Sequence, residues 1–486
     1  MLLQLRRSRA PLHRQIYEAL KSGIREGKYR PGTRLPSTRA LCADLGVSRN
    51  TVMSAYEQLL AEGYAISRER ATTVVADVVA PRRADAAVAE PQAFAPPRLS
   101  AWAERLTRDP SMPPAGSYTH RAGVRIDFRY GRPALDEFPL DIWRRLLAAH
   151  AKRPGRDSLG YATPAGHAPL REALAEYLNR ARGLRCDAEQ IVICNGSQQA
   201  IDLATRVLLD PGDAAVVEEP HYTGATVPIE AIGARLIRIA TDAQGLDTSQ
   251  LPASSSRARL AYVTPCHQFP SGVIMPLERR LALLDWAART DVWIVEDDYV
   301  SEFRYEGSPL EALQALDRHG RVIYVGTFAK TLFPALRLAY LVLPRALVRP
   351  FIAAKWVADR FSTLLPQAAL AEFIASGQFE RYLRRAGLRN AARRRTLIHS
   401  LQQHFGDRIE IAGENTGVHL VVWFNHVRPQ QLDALIARAA SAGVGLYSVA
   451  PYYANPLPRA GLLFGYASLS EADIRAGVRK LASLVA

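Results

Sequence analysis

The chain has 486 residues, 48% hydrophobic and 22% charged, a balance that excludes wholesale disorder and allows a sizeable core. Its 62 Lys+Arg against 47 Asp+Glu give a formal charge of +15, and no apolar run reaches the roughly 18 residues that cross a bilayer, so a cytoplasmic protein that meets a polyanion is expected. Four cysteines, Cys42, Cys186, Cys194 and Cys266, have neither C-x-x-C spacing nor scaffold density, which removes support for zinc sites and disulfide mini-domains.

The charge surplus is uneven: the first 75 residues hold 13 basic and 6 acidic side chains, +7 of the +15. Within them Leu12, Ile16, Leu20 and Ile24 recur in steps of four and predict an amphipathic helix over residues 11–27. Pro31-Gly32 breaks the chain. Ser37 caps a short helix through Leu41 and Leu45 that Gly46 ends. Ser48 caps a third, with Val52, Tyr56, Leu59 and Leu60 inward and Arg49, Asn50 and Thr51 in its exposed first turn. Gly63 closes that helix, and two β-prone runs, Tyr64–Ser67 and Thr72–Val75, flank a basic tip. Two short helices joined by a tight turn, with polar residues opening the second, suit a DNA major groove, and a hairpin after them suits a wing. Arg39, Ser48, Arg49, Asn50 and Thr51 are the candidate DNA-binding residues. The plainer alternative is a small helical bundle with a solvated arginine-rich face.

The stretch Leu35-Pro-Ser-Thr-Arg39, Gly46-Val-Ser-Arg-Asn-Thr-Val52 and Leu60-Ala-Glu-Gly63 resembles the winged helix-turn-helix of the GntR regulator family. The resemblance covers residues 11–75 and implies double-stranded operator DNA as partner. It departs at the wing tip, Arg68-Glu69-Arg70-Ala71, where the family often has glycines; an arginine there suits a phosphate or minor-groove contact. The DNA-binding domain is therefore placed at residues 1–76. Residues 77–124, rich in Ala and Pro, are expected to be a semi-rigid linker with one helix near Leu99–Arg108.

Residues 125–486 change character. Short apolar runs alternate with helical stretches: Ile191–Cys194, Ala214–Glu218, Leu236–Ile239, Leu260–Val263, Val292–Glu296, Val322–Val325 and Ala339–Leu343. This predicts an α/β fold with a mainly parallel sheet and helices on both faces, whose ligands bind at the carboxyl ends of the strands. Chemistry-bearing residues do follow the runs. Asn195-Gly196-Ser197-Gln198 opens a helix and offers backbone N–H groups to an anion. Asp297-Asp298-Tyr299 follows one strand, and Gly326-Thr327-Phe-Ala-Lys330 follows another, with Arg337 seven residues on. Taken singly, a lysine is most often a solvated charge, Tyr299 suits a core, and the aspartates suit a helix cap or a metal pair.

Together with Glu219-Pro-His-Tyr222 and Thr264-Pro-Cys-His-Gln-Phe-Pro-Ser-Gly272, the constellation resembles the fold-type I aminotransferases, which carry pyridoxal 5'-phosphate. Joined to the GntR-type head, the whole is similar to the MocR subfamily of regulators. The resemblance implies a fold-type I transferase body, a homodimer and a small-molecule effector, while the cysteine spacing and the lack of a long apolar run give no metal and no membrane. It implies that Lys330 takes the cofactor aldehyde, that Asp297 pairs with the pyridinium nitrogen and that Tyr299 bonds the ring oxygen, these three being the catalytic candidates. Tyr222 would stack on the ring, and Gly196, Ser197, Gln198, Thr327 and Arg337 would hold the phosphate. Asp298 is expected to point outward. His267 and Gln268 are placed near the ring oxygen, where aminotransferases commonly have an Asn at the position of Phe269. The C-terminal stretches Leu446–Tyr453 and Gly461–Tyr466 lack the arginine that usually fixes a substrate carboxylate, and Arg459 between them is the candidate substitute. The expected function is a DNA-binding regulator that uses pyridoxal phosphate to sense a small molecule, the cofactor itself or an amino compound. The alternatives are a working aminotransferase with a DNA-binding appendage, and a DNA-binding protein with a vestigial cofactor site.

Overall fold

The computed structural model describes residues 10–68, 72–77, 98–109, 123–152, 159–253, 256–307 and 311–485. Contacts divide the chain into two units, 1–98 and 99–486.

The first unit contains α1 (Leu12–Arg25), α2 (Thr38–Leu45), α3 (Arg49–Ala61), β1 (Ala65–Arg68) and β2 (Thr72–Val75). Both predicted caps form: the Ser37 hydroxyl accepts from Ala40 N at 3.1 Å, and the Ser48 hydroxyl accepts from Thr51 N at 3.3 Å. Gly46 ends α2 with φ +64°, a left-handed conformation that costs a residue with a Cβ about 1–2 kcal/mol. The core joins Ile16, Tyr17, Leu20 and Ile24 to Leu41, Val52, Tyr56 and Leu59, each buried side chain of this size contributing about 1.5–3 kcal/mol. Leu12 and Leu60, expected to face inward, are exposed, while Tyr17 is buried in the core and its hydroxyl donates to Glu62. β1 and β2 pair antiparallel, and Thr33 and Leu35 add backbone bonds to β2. The wing tip, residues 69–71, lies outside the described residues.

The second unit opens with α4 (Ala101–Arg108), β3 (Ile126–Asp127), α5 (Leu140–Lys152) and α6 (Ala168–Arg182). There follow β4 (Ile191–Cys194), α7 (Ser197–Leu208), β5 (Ala214–Glu219), α8 (Thr223–Ile232), β6 (Arg235–Asp242), β7 (Gly245–Leu246), β8 (Ala258–Val263), α9 (Leu277–Thr290), β9 (Trp293–Asp298), α10 (Leu313–Leu316), β10 (Val322–Thr327) and β11 (Ala339–Val342). The remainder is α11 (Arg345–Asp359), α12 (Leu364–Ala375), α13 (Gln378–Phe405), β12 (Ile409–Ala412), β13 (His419–Phe424), α14 (Leu432–Ser441), β14 (Val444–Gly445), β15 (Tyr447–Ser448), β16 (Ala460–Gly465) and α15 (Glu471–Val485).

Eight strands form one sheet in the order β4-β11-β10-β9-β8-β5-β6-β7. β10, β9, β8, β5 and β6 are parallel neighbours, while β11 runs antiparallel to both β10 and β4. Period-two alternation sends Ile191 and Ile193 to one apolar cluster and Val192 and Cys194 to another, so the sheet is covered on both faces. A second sheet, β12-β13-β16-β15, is antiparallel.

The helix expected near Leu99–Arg108 is present as α4. It lies in the segment expected to be linker and packs on α8 and α7: Arg105 Nε donates to Ala231 O of α8 at 2.8 Å, and Arg206 of α7 stacks on Trp102 at 5.4 Å. An amphipathic turn of Trp102, Arg105 and Leu106 is what a docking helix needs, and the partner it docks on is distant in sequence. Among the described residues no helix is long and apolar enough to cross a membrane, and no group of His, Cys, Asp or Glu could hold a metal ion.

Candidate functional site

On the first unit, Arg39 lies in the first turn of α2, and Arg49 and Asn50 in that of α3; all three are exposed. Two N-terminal turns thus present cationic and amide side chains to solvent. Ser48, exposed, and Thr51, half-buried, engage each other in the cap, their hydroxyl oxygens 2.8 Å apart, and so fix the start of α3.

On the second unit, the candidate residues converge where parallel strands end. β9 carries Asp297 and Asp298 on opposite faces. Asp297 is buried, and its Oδ2 accepts from the Tyr262 hydroxyl of β8 at 2.6 Å. Its Oδ1 is buried with no hydrogen-bond partner among the described residues. Burial pushes its pKa up to about 6, against the Tyr262 hydrogen bond and, more weakly, the charge of Lys330. Lys330 follows β10, which pairs with β9 through Val325 opposite Asp297. Burial lowers the lysine pKa while Asp297 works to raise it. The Thr327 hydroxyl accepts from Ala329 N at 3.2 Å and so shapes the turn that presents the lysine.

Asp298 does not point to solvent as expected. It is buried on the other face, where its Oδ2 accepts from Arg182 at 2.7 Å, Tyr324 at 2.7 Å and Ser301 at 2.6 Å. Against burial, the Arg182 charge and these hydroxyls hold its pKa below the usual range. Strand alternation gives one aspartate to the site and its neighbour to the core.

The turn before α7 is the candidate anion cup. Gly196 has φ +89°, and a β-carbon there would lie 2.8 Å from Arg337 Nη2, so the guanidinium lies directly over the glycine. Arg337 Nη2 also donates to Asn195 O at 2.7 Å. Ser197 begins α7 and is half-buried. Gln198 is exposed and its amide donates to Gly224 O at 2.7 Å, which ties the cup to the start of α8. There the Tyr222 ring folds over Gly224 and lies near-parallel to Tyr262, 6.4 Å between centroids.

Tyr299 donates to His267 O at 3.0 Å. His267 itself meets Thr416 Oγ1 through Nδ1 at 2.6 Å, and Gln268 donates to Pro220 O at 2.9 Å, so both serve the loop rather than open space. Arg459 pairs with Glu410 at 2.6 Å and lies on Trp423, a partly exposed ion pair that engages its charge. An apolar cluster of Phe269, Val421, Trp423, Val449, Tyr452 and Leu463 packs beside Tyr222 and Tyr299.

Two participants escape the sequence. Tyr262 is one apolar strand residue among many, and no spacing marks it as the partner of Asp297. Gly131 is distant in sequence, but a β-carbon on it would lie 2.9 Å from Lys330 Nζ. The pair Tyr130-Gly131, preceding Arg132-Pro133, is its only signal.

A helix-turn-helix head and an aminotransferase-type body in one chain define a regulator built on an enzyme fold. The model of aminotransferase class I and II matches residues 133–480, and that of the gntR family of bacterial regulatory proteins matches residues 12–75. The chain belongs to the MocR subfamily of GntR-type transcriptional regulators, in which a winged helix-turn-helix is fused to a fold-type I aminotransferase domain. It is 39% identical to the probable rhizopine catabolism regulatory protein MocR of Rhizobium meliloti, covering 99% of this chain and 95% of that protein. It is 30% identical to the pyridoxine biosynthesis transcriptional regulator PdxR of Corynebacterium glutamicum, covering 95% and 93%. The α-aminoadipate aminotransferase LysN from Thermus thermophilus, complexed with N-(5'-phosphopyridoxyl)-L-leucine, matches with a TM-score of 0.71 and 27% identity over 80% of this chain and 97% of that one.

Proposed function

We propose that this chain is a pyridoxal phosphate-dependent, DNA-binding transcriptional regulator that senses a small molecule through its aminotransferase-like domain. The observation that carries the cofactor assignment is Asp297 Oδ1: a buried carboxylate oxygen without a partner among the described residues, at the strand end next to Lys330, awaits a donor. A protonated ring nitrogen is such a donor, and Asp297 Oδ1 would accept its hydrogen bond. Bound pyridoxal phosphate supplies an aldehyde and an electron-withdrawing ring. Lys330 would hold the aldehyde, Tyr222 would cover the ring face, and Tyr299 would reach the ring oxygen by giving up its bond to His267 O. Gly196, Ser197, Gln198, Thr327 and Arg337 would take the phosphate, Arg337 as the cation and Gly196 by leaving room for its approach.

GntR-type regulators bind operator DNA, and Arg39, Arg49 and Asn50 are the side chains this head offers to it, with Ser48 and Thr51 at the same helix start. The effector is the cofactor itself or an amino compound. The apolar cluster beside the pocket and the Glu410 partner of Arg459 favour a ligand not anchored by a buried carboxylate salt bridge. A homodimer is supported by exposed apolar side chains on the second unit, among them Leu159, Tyr161 and Val357, 79–89% exposed.

Operator binding is measured with apo protein, cofactor-loaded protein, and loaded protein with amino acids added. A shift on cofactor loading supports cofactor sensing; equal affinities for apo and loaded protein, with a large shift only on amino-acid addition, overturn it. Sustained turnover with a panel of amino donors would make the chain an enzyme instead.

A further inference from the structure

We propose that Lys355 and Asp359, on the last turns of α11, are positioning residues for the phosphate end of the site. The inference rests on the pyridoxal phosphate assignment above and adds residues that touch no part of the ligand.

Lys355 is fully buried, and a cation in the interior is costly unless paired and hydrogen-bonded. It is both. Its Nζ meets Asp359 Oδ1 at 2.7 Å and Oδ2 at 2.8 Å, donates to Ser362 Oγ at 3.1 Å, and lies 3.5 Å from Gln199 Oε1. Asp359 Oδ2 in turn accepts from Asn195 Nδ2 at 2.6 Å and from Gln199 Nε2 at 2.8 Å. Gln199 Oε1 then accepts from Asn195 N at 2.8 Å. Asn195 and Gln199 bracket Gly196-Ser197-Gln198, the turn whose N–H groups have no acceptor within the helix.

The network therefore grips the cup from behind. Asn195 is held at its backbone N, at its side-chain amide and, through Arg337, at its carbonyl oxygen. A carboxylate is the acceptor best able to bind two amides and an ammonium at once, but alone it would set a negative charge behind a site for a dianion. Lys355 cancels that charge. The pair supplies a multidentate clamp with no net charge.

The test measures binding of pyridoxal phosphate and of pyridoxal, which lacks the phosphate, to the full-length protein by visible absorbance, in wild type, Asp359→Asn and Asn195→Ala. Thermal midpoints are recorded alongside. Asn195→Ala removes one half-exposed amide and keeps the test open if Asp359→Asn fails to fold. Wild type that fails to prefer pyridoxal phosphate over pyridoxal would sink the cofactor assignment itself. Given that preference, the variants are expected to lose about tenfold in affinity for pyridoxal phosphate, as for one lost charge-assisted hydrogen bond, with pyridoxal affinity unchanged within about twofold. Equal weakening toward both ligands, or a lowered thermal midpoint with the preference intact, would overturn the positioning role.

Discussion

Gly131 and Lys330 leave no room for a side chain between them: a β-carbon on the glycine would stand 2.9 Å from Nζ and 3.4 Å from Cε. The glycine also has φ +71°, which an L side chain adopts at a cost of about 1–2 kcal/mol. Gly131→Ala is therefore expected to lower the unfolding free energy by about that amount and, separately, to push the lysine aside. Denaturant titration reads the first effect and cofactor titration the second. Normal cofactor affinity in Gly131→Ala would mean that the lysine does not need this approach.

Lys330→Ala should abolish the visible absorption of the cofactor-loaded protein while leaving the head folded and operator binding by the apo protein intact. A band that survives the substitution would remove Lys330 from its role.

Asp297 predicts a pH effect of definite sign. Its pKa rises from an ordinary 3.8 to about 6 on folding without a ligand, chiefly through burial. The folded chain thus binds the proton more tightly than the unfolded one, so the group's stabilising contribution is complete below about pH 4 and is lost as pH rises through about 6. Asp297→Asn escapes that loss. The apo variant is expected to become progressively more stable than the apo wild type between pH 4 and 6, by at most about 3 kcal/mol, and to hold that margin above pH 6. Its affinity for pyridoxal phosphate should fall. Chemical denaturation of both apo proteins at several pH values checks the first claim; a constant difference across the range would contradict it.

Arg39 and Arg49 stand exposed at the two helix starts of the head. Arg49→Ala should cost about 1–3 kcal/mol of operator affinity and relax specificity at one base pair if the side chain reads a base edge. If it meets phosphate only, the slope of log affinity against log salt should fall by roughly one instead. Unchanged affinity in both Arg39→Ala and Arg49→Ala would contradict the DNA-binding surface.

Effector and operator must influence each other equally. Couplings of about 1–3 kcal/mol are typical, so a loaded effector should shift operator affinity about 5- to 150-fold, and operator DNA should shift effector affinity by the same factor. Operator affinity that does not change on effector loading, with effector affinity equally unmoved by operator DNA, would show that the two ligands do not act on one shared equilibrium.

Local signals carried much of this organisation. Ser37, Gly46 and Ser48 mark the boundaries of α2 and α3 because caps are written in one or two residues. The strands of the large sheet were visible because burial on both faces demands unbroken apolar runs, and the residues after those runs name the pocket. Long-range partners were not visible. Arg182 neutralises Asp298 from 116 positions away, and nothing near either residue announces it. The antiparallel course of β11 was equally hidden, since a buried strand has the same composition in either direction. Helix α4 was legible near Leu99–Arg108, but its contact with α8, more than a hundred positions away, was not. The network of Lys355 and Asp359 is a helical i,i+4 pair that reads as an ordinary solvated contact until the fold encloses it.

The head completes its hydrophobic core from residues 16–75 alone, whereas the pocket draws on Gly131, Gly196, Tyr222, Tyr262, Asp297, Lys330 and Arg337. Loop closure between such distant segments is slow, and domains fold as units as they leave the ribosome. A nascent chain therefore completes the core of its helix-turn-helix unit while the strand that precedes Lys330 is still unmade, so the two units of this regulator are built one after the other.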